Sequence, residues 1–492
     1  MSLSFLKEKK EGVDLALIMC PAWSVSQAPV AISYLKSFLE KHNMNVKCFD
    51  LNMEFYKVFP EKKYWDLNYP DHFITSHVFE RDIAPSLNPF IHIWAESILG
   101  CNPKVVGFSL FMSTIRTSLL LAKYLKKLKP DLVIIGGGAE VTRVKKIVIS
   151  GEIYGFAHVD KDIFNFFDVL IEGEGEITLL EVLSLFNKGR DFHHVNGVLY
   201  RSEERVVVNR PRELIADLDI LSPPDYSEFD LKNYTRSALP IVTSRGCVNR
   251  CTFCADSPIG KIYRQRSAKK IIEEMKYLLK KYESSLFEIV DSKKYKSNLF
   301  EIVDSIFNGD INRIDRFCDL IIKSKLDVSW SAKVTLRKGM SRALLQKMKE
   351  AGCNALSYGV ESASPRVLKH MRKNIDIGEA KKIIRNTHEA GIQANCFFMI
   401  GYPVETERDF QMTLDFIKEN AEFIYRFDQV TGCHIEEDSY LGLNLEKLGI
   451  IFKGGGAWYS KESSPEIRRE RLERFRKLAR ELHKNYKCDV QL

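Results

Sequence analysis

Apolar positions in the first two hundred residues come in short runs separated by stretches of helical periodicity, the pattern of a parallel sheet flanked by helices. Runs at 15–20, 46–51, 105–111, 132–136 and 168–172 predict strands, and 28–41 and 114–128 predict helices between them. The aromatic-rich stretch 55–99 follows neither period and the pattern assigns it no element. A further helix is predicted from Thr178, a hairpin over 198–209, and an extended connector over 211–234 around Pro223-Pro224. A second alternation opens near Leu239. Its strands are predicted near Ile241, Phe300, Val328, Leu356, Asn395 and Asp428, with helices at Ala268, Asn312, Ser341, Gly378 and Thr406. Six strand-helix units predict an open relative of the (β/α) barrel. The last periodic stretch, 465–486, begins with Ser464 as N-cap and Pro465 in the first turn. Leu472, Phe475, Leu478, Ala479 and Leu482 form its apolar stripe, which predicts that the arginines line the wet face.

The predicted organisation is therefore α/β: a doubly wound parallel sheet over 1–200, hairpin and connector over 201–238, a partial (β/α)6 barrel over 239–434, and a C-terminal helical segment over 435–492. One local feature interrupts it. Residues 280–292, KKYESSLFEIVDS, are followed at once by 293–305, KKYKSNLFEIVDS, identical at eleven of thirteen positions. A single echo is too short for a solenoid and reads as a tandem duplication of one strand. The later copy is assigned to the second barrel strand because 306–310 lead directly into the next helix. The earlier copy would then lengthen a loop at the barrel's N-terminal end, a change that costs little; if the earlier copy is the strand instead, the insertion lies beside the catalytic end and reshapes the pocket there.

Composition narrows the setting. A chain of 492 residues, 45% hydrophobic, can bury two or three cores. No apolar run reaches the roughly 18 residues a membrane helix needs, and the charged N-terminus lacks an apolar leader, so the expectation is a cytoplasmic protein. Eleven cysteines without a regular framework suit reduced thiols and a metal site better than disulfides. A net charge of +8 over so large a surface suggests anionic small molecules or weak attraction to nucleic acid and establishes neither, and nucleic acid is expected to be an unlikely partner. Gly454-Gly455-Gly456 reads as a linker beside the last helix, with a lid hinge as the other reading.

The densest chemistry lies in Ser244-Arg245-Gly246-Cys247-Val248-Asn249-Arg250-Cys251-Thr252-Phe253-Cys254, on the loop leaving the first barrel strand, the end of a barrel where catalytic groups belong. Three thiolates within eight residues can ligate three irons of one cluster, leaving one iron open. The rival readings are small buried hydrophobes and a zinc site, which wants a fourth ligand. Cys318, Cys353, Cys396 and Cys433 are assigned to packing.

This C-x3-C-x2-C arrangement, with Phe253 before the last cysteine, resembles the radical S-adenosylmethionine (SAM) superfamily. The resemblance implies a 4Fe-4S cluster on Cys247, Cys251 and Cys254, SAM chelated at the open iron, and reductive homolysis to a 5'-deoxyadenosyl radical. It implies an external one-electron reductant such as flavodoxin or ferredoxin. Tyr358-Gly359-Val360-Glu361-Ser362 is similar to the family's segment near the SAM ribose and methionine groups, with Glu361 and Ser362 as contacts; a cap on the helix near Ser364 is the equal alternative for Glu361. Phe398-Met399-Ile400-Gly401-Tyr402-Pro403 resembles the segment lying against adenine, where Gly401 allows close approach. Asp304 and Ser305 would approach the SAM amino group, with a capping or turn role as alternative. Arg337 would pair with the SAM carboxylate; otherwise it is a surface arginine.

Ser109 after the third strand, Gly136-Gly137 after the fourth, and Gly173-Glu174-Gly175 after the fifth resemble the cobalamin-binding domain that precedes many radical SAM barrels, ligands of open α/β sheets lying at such strand ends. An empty domain of the same fold is the alternative. Asp191-Phe192-His193-His194-Val195-Asn196-Gly197 has one residue too many for the family's D-x-H-x-x-G motif and precedes a hairpin, so a bound cobalamin would lack a histidine from it. Cys20, Cys48 and Cys101 are too irregular for a second cluster. The reading is a radical SAM enzyme acting on a small-molecule or lipid-like substrate, with cobalamin-dependent methylation or a related radical C–C or C–H transformation foremost. The alternatives are a cobalamin-independent radical SAM enzyme acting on an apolar substrate and a non-enzymatic iron-sulfur redox protein.

Overall fold

The computed structural model describes residues 12–65, 71–150, 161–186, 191–203, 205–236, 238–256, 260, 262–289, 299–453 and 457–482. Residues 290–298 of the duplicated stretch, the glycines 454–456 and the predicted helical residues beyond Leu482 lie outside that set. Two compact units emerge, one of residues up to Ile215 with Leu221–Thr235, the other of Ala216–Ile220 with Arg236 onward.

In the first unit, β1 (Leu15–Met19), β2 (Val46–Asp50), β3 (Val105–Ser109), β4 (Val133–Gly137) and β5 (Val169–Ile171) are parallel in the order β2-β1-β3-β4-β5. β1 and β3 are buried along their whole length, as strands covered by helices on both faces must be. The hairpin β6 (Val198–Ser202) and β7 (Arg205–Val208) continues this sheet antiparallel beyond β5, so it belongs to the first unit and not to a connector. The stretch without a clear period is largely helical. Its helices Leu51–Val58, Asp71–Ile74, Ser76–Asp82 and Ala84–Gly100 bring Phe55, Phe73, Phe79 and Trp94 into the apolar core of the unit, where Trp65 joins them. Pro85 and Pro89 and aromatic rings on several helix faces blur the period there.

The second unit is a partial (β/α)6 barrel. β8 (Leu239–Ile241) leads to a short antiparallel pair, β9 (Ser244–Arg245) with β10 (Arg264–Gln265); then come β11 (Leu299–Ile302), β12 (Ser329–Val334), β13 (Cys353–Glu361), β14 (Gln393–Ile400) and β15 (Arg426–Gly432). The order β8-β11-β12-β13-β14-β15 follows the chain, with every pair parallel. Local signals start the intervening helices: Asp310, Ser341, Ser364 and Asp376 accept first-turn N–H groups, and Thr406 forms a capping box with Asp409.

The two LFEI copies take opposite conformations. The later one is β11, where Phe300 and Ile302 are buried between β8 and β12. The earlier one ends the helix Ala268–Ile289, beyond a kink at Tyr282. It therefore prolongs a helix in place of the predicted loop, because only one copy can occupy the slot between β8 and β12.

The helix Pro465–Leu482 departs from the predicted pattern in one respect. Leu472, Phe475 and Ala479 are buried, but so are Arg468 and Arg471, which the apolar stripe alone would leave on the wet face. Each lies four residues before one of the buried pair Leu472 and Phe475, hence on the same side of the helix. That side supplies partners: Glu405 for Arg471, the Trp458 ring and carbonyl for Arg468. Among the described residues no helix is long and apolar enough to cross a membrane.

Candidate functional site

The three-cysteine loop is held at both ends. At its start, the fully buried Asp304, just past the end of β11, accepts the Thr243 N–H (2.7 Å) and the Thr243 and Ser244 hydroxyls (2.5 and 2.6 Å). Burial pushes this carboxyl above its ordinary value, against the pull of Arg313 and those donors. At its return, the Cys247 N–H donates to the Gly260 carbonyl (3.3 Å). Gly246 has φ +79, and a Cβ there would run into the Ile262 carbonyl oxygen, so the loop closes only with glycine. In its middle, Thr252 gives its N–H to the Met371 carbonyl, accepts the Leu441 N–H on its own carbonyl, and shares a 2.7 Å hydrogen bond with the Tyr402 hydroxyl.

Cys247, Cys251 and Cys254 are all free and half-buried. Burial raises all three thiols, Cys254 to about 12, with Asp256 opposing ionisation at Cys247 and Cys254 and Lys373 favouring it at Cys247 and Cys251. No group of His, Cys, Asp and Glu among the described residues is gathered tightly enough to hold a single ion. A cluster asks for less convergence, since each iron takes its own thiolate. Three thiols on one loop, with the Asn249 N–H directed at Cys247 Sγ (3.4 Å), are a donor set that fits a cluster with one iron left open.

Glu361 closes β13 at φ +64, just past a register shift against β14. Its Oε1 lies 2.7 Å from Lys373 Nζ, both side chains being largely buried. The pair folds back across Gly359, where a Cβ would stand 2.6 Å from each of those atoms. Lys373 Nζ is also 6.0 Å from the centre of the Phe253 ring, between two of the cysteines in sequence. Glu361 does not cap the next helix; Ser364 does, its own N–H bonded to the Ser362 hydroxyl.

The other expected SAM residues are committed to neighbours. Ser362 is fully buried. Ser305 donates to Asp256 (2.7 Å), just past Cys254. One Arg337 nitrogen donates to the Asn308 and Gly309 carbonyls (3.1 and 2.8 Å). Gly401, at φ +75, gives its N–H to Glu405 (2.7 Å) and accepts the Ser463 hydroxyl (2.7 Å). The space a Cβ would need at 401 is taken by the Arg468 side chain. Lys373 and His370 carry no motif of their own in the sequence, and only the chain's return brings them beside the cysteine loop.

In the first unit the strand-end glycines divide. Gly136 is closed in by Leu110, Leu170 and Phe167, and Gly175 touches Leu35. The Glu174 carboxylate accepts the Ile215 N–H (2.7 Å), and the backbone carbonyl of the buried Ser109 accepts the Thr114 hydroxyl (3.2 Å). A Cβ at Gly137 would meet only Ile171 atoms, at 3.9 Å, and Gly173, at φ +79, faces open space. Strand order reverses between β1 and β3, the position where ligands of such sheets lie. There Trp23 and Phe111, from the loops after β1 and β3, stack at 3.9 Å. His193 and His194 are exposed before β6, away from that crevice in sequence and in strand order.

Residues 241–417 match the radical SAM superfamily. The chain carries a radical SAM domain. That domain begins in β8 and takes in all three cysteines, and its family implies a 4Fe-4S cluster and SAM. The chain is 28% identical over 332 residues to an uncharacterised methyltransferase of Pyrococcus horikoshii, covering 66% of each chain. It is 26% identical over 343 residues to an anaerobic magnesium-protoporphyrin IX monomethyl ester cyclase of Rubrivivax gelatinosus, covering 67% of this chain and 57% of that one. The matched region thus spans less than two thirds of the length of either relative. In fold, the radical SAM methyltransferase TsrM of Kitasatospora setae, solved with tryptophan and a SAM analogue, matches 88% of this chain and 76% of its own at a TM-score of 0.64 and 18% identity. OxsB, a cobalamin-dependent SAM radical enzyme solved with aqua-cobalamin, matches 89% of this chain and 55% of its own, also at 0.64, with 19% identity. The likeness therefore extends the domain assignment to a two-unit fold in which a doubly wound sheet precedes the radical SAM domain.

Proposed function

We propose that this chain is a cobalamin-dependent radical SAM methyltransferase acting on a small or lipid-like substrate. The observation that carries the reading is the cysteine loop: three free thiols at the C-terminal end of the first barrel strand, clamped by Asp304, the β9–β10 pair and Thr252, with the buried Lys373–Glu361 pair beside them. Cys247, Cys251 and Cys254 would hold the cluster, and Glu361, Ser305 and Phe253 are assigned in this reading to contacts with SAM bound at the open iron. A reduced cluster supplies the electron for cleavage of SAM. Asp304, Arg337, Ser362 and Gly401 would act by shape, fixing the strand ends around that space. A low-potential one-electron donor is the required partner, and the free thiols suit a reducing compartment such as the cytoplasm.

For cobalamin, the supporting observation is the stacked Trp23–Phe111 pair at the β1/β3 reversal, with the open backbone of Gly137 and Gly173 at further strand ends of the same sheet. Apolar rings there offer a corrin face packing surface and no axial donor. Anaerobic purification from cells supplied with cobalamin tests both parts. Iron and sulfide near four per chain, absent from the triple cysteine-to-alanine variant, and reductant-dependent consumption of SAM are expected. Cobalt should accompany them, with quenching of tryptophan fluorescence that Trp23→Phe diminishes. Intact cluster without cobalt sinks the cobalamin part; a cluster that never consumes SAM sinks the enzyme reading and favours a redox protein.

A further inference from the structure

Lys373 brings a buried ammonium to the cysteine loop, where it can ligate no iron and abstract no proton. Its placement is over-determined. The backbone two residues earlier, at Met371, receives the Thr252 N–H, and Lys373 itself donates its N–H to the Leu368 carbonyl. The side chain then turns inward to Glu361 Oε1 at 2.7 Å, and its Nζ lies 6.0 Å from the centre of the Phe253 ring. A lysine side chain only 7% exposed carries a desolvation cost that one carboxylate only partly offsets. Glu361 in turn is held at φ +64, a backbone conformation that side-chain-bearing residues seldom adopt. Position 359 lacks the Cβ that would separate the two groups. Phe253 sits between Cys251 and Cys254, so its ring sets the Lys373–Glu361 pair beside the thiol loop.

Resting on the cluster reading above, we propose that the Lys373–Glu361 pair sets the reduction potential of the cluster, Lys373 raising it and Glu361 holding that effect in check. The couple is a single-electron one, and the electron comes from an external low-potential donor. Adding it makes the thiolate-bound cluster one unit more negative. A fixed ammonium within Coulomb reach stabilises that extra charge, a carboxylate destabilises it, and partial burial keeps solvent from screening either. Lys373 and Glu361 are thus positioning residues that act on the electron-transfer equilibrium through space.

The test is potentiometry followed by electron paramagnetic resonance on the full-length protein reconstituted without SAM, in wild type, Lys373→Met, Lys373→Arg, Glu361→Gln and the double variant Glu361→Gln/Lys373→Met. The midpoint potential should become more negative in Lys373→Met, more positive in Glu361→Gln, fall between them in the double variant, and stay near wild type in Lys373→Arg. A purely structural role would alter iron content or signal line shape without this opposed pair of shifts. If Lys373→Met fails to load, Glu361→Gln decides: a positive shift supports the inference and an unchanged potential overturns it. Potentials that coincide in all variants, or that move the same way in both single variants, overturn it while leaving the proposed function intact. Wild-type protein that binds no cluster removes the proposed function itself.

Discussion

The Tyr402 hydroxyl lies 2.7 Å from the Thr252 hydroxyl and 2.9 Å from His370 Nδ1, so one buried phenol ties the middle of the cysteine loop to the end of β14 and to the helix Pro365–His370. Burial, with Arg366 and Arg372 adding to it, lowers the pKa of His370 and so disfavours the imidazolium beside that phenol. Replacing Tyr402 by Phe strips two polar groups of a partner at once. Stability should fall by about 1–3 kcal/mol, and a chelator should remove cluster iron faster than from wild type. Equal chelation rates would show that the loop is fixed by its backbone contacts to Met371 and Leu441 alone.

Gly401 and Arg468 occupy one space. Gly401→Ala drives a methyl into the position of the Arg468 Cγ at a backbone with φ +75. Strain and overpacking together should cost about 2–4 kcal/mol, read as a lower melting temperature. Adding Arg468→Ala should restore only part of it, because the left-handed backbone penalty remains; full restoration would assign the whole cost to the steric clash.

Glu405 is fully buried, and that burial pushes its carboxyl up to about 7, with the Gly401 N–H and Arg471 pulling it down. A carboxyl raised above its unfolded value of 4.5 holds its proton longer in the native state. Its stabilising contribution is therefore present in full below pH 4.5 and is lost as the pH rises through about 7. Glu405→Gln should flatten the pH dependence of denaturant midpoints across this window, by on the order of 2–3 kcal/mol at its upper end. A slope unchanged in the variant would place the titration elsewhere.

The tandem repeat should be dispensable. Deleting 280–292 leaves the later copy to form β11, and deleting 293–305 offers an almost identical segment to the same slot; the two products differ at only two positions. Both should fold, with melting temperatures within a few degrees of wild type, and both should load iron, since shortening such a connection changes closure entropy by less than about 1 kcal/mol. Loss of the fold in both deletions would mean that the first copy has acquired a packing role in its helical form.

Much of the architecture is legible in the sequence because it rests on local patterns. Apolar runs with helical intervals mark the parallel strands of both sheets, glycine and polar caps mark where elements begin, and eight residues carry the three-thiol loop. The helical region 55–99 is not legible, since its aromatic rings pack on several sides of short helices and leave no single stripe.

What the sequence by itself determined is the chemistry available: three thiols at a spacing that suits a cluster, placed after a barrel strand, ahead of a Gly-x-Glu-Ser segment and a Gly-Tyr-Pro segment. Only the tertiary structure decided how those pieces are held. The same four letters, LFEI, became a helix end at 286–289 and a buried strand at 299–302, because a strand is stabilised by the neighbours it finds and β8 and β12 have room for one. Arg468 and Arg471 turned inward because Trp458 and Glu405 wait there, and Lys373 reached Glu361 across the bare backbone of Gly359. Partners that are distant in sequence leave no periodic trace, and a buried charge can be told from a solvated one only when the group that compensates it is in view.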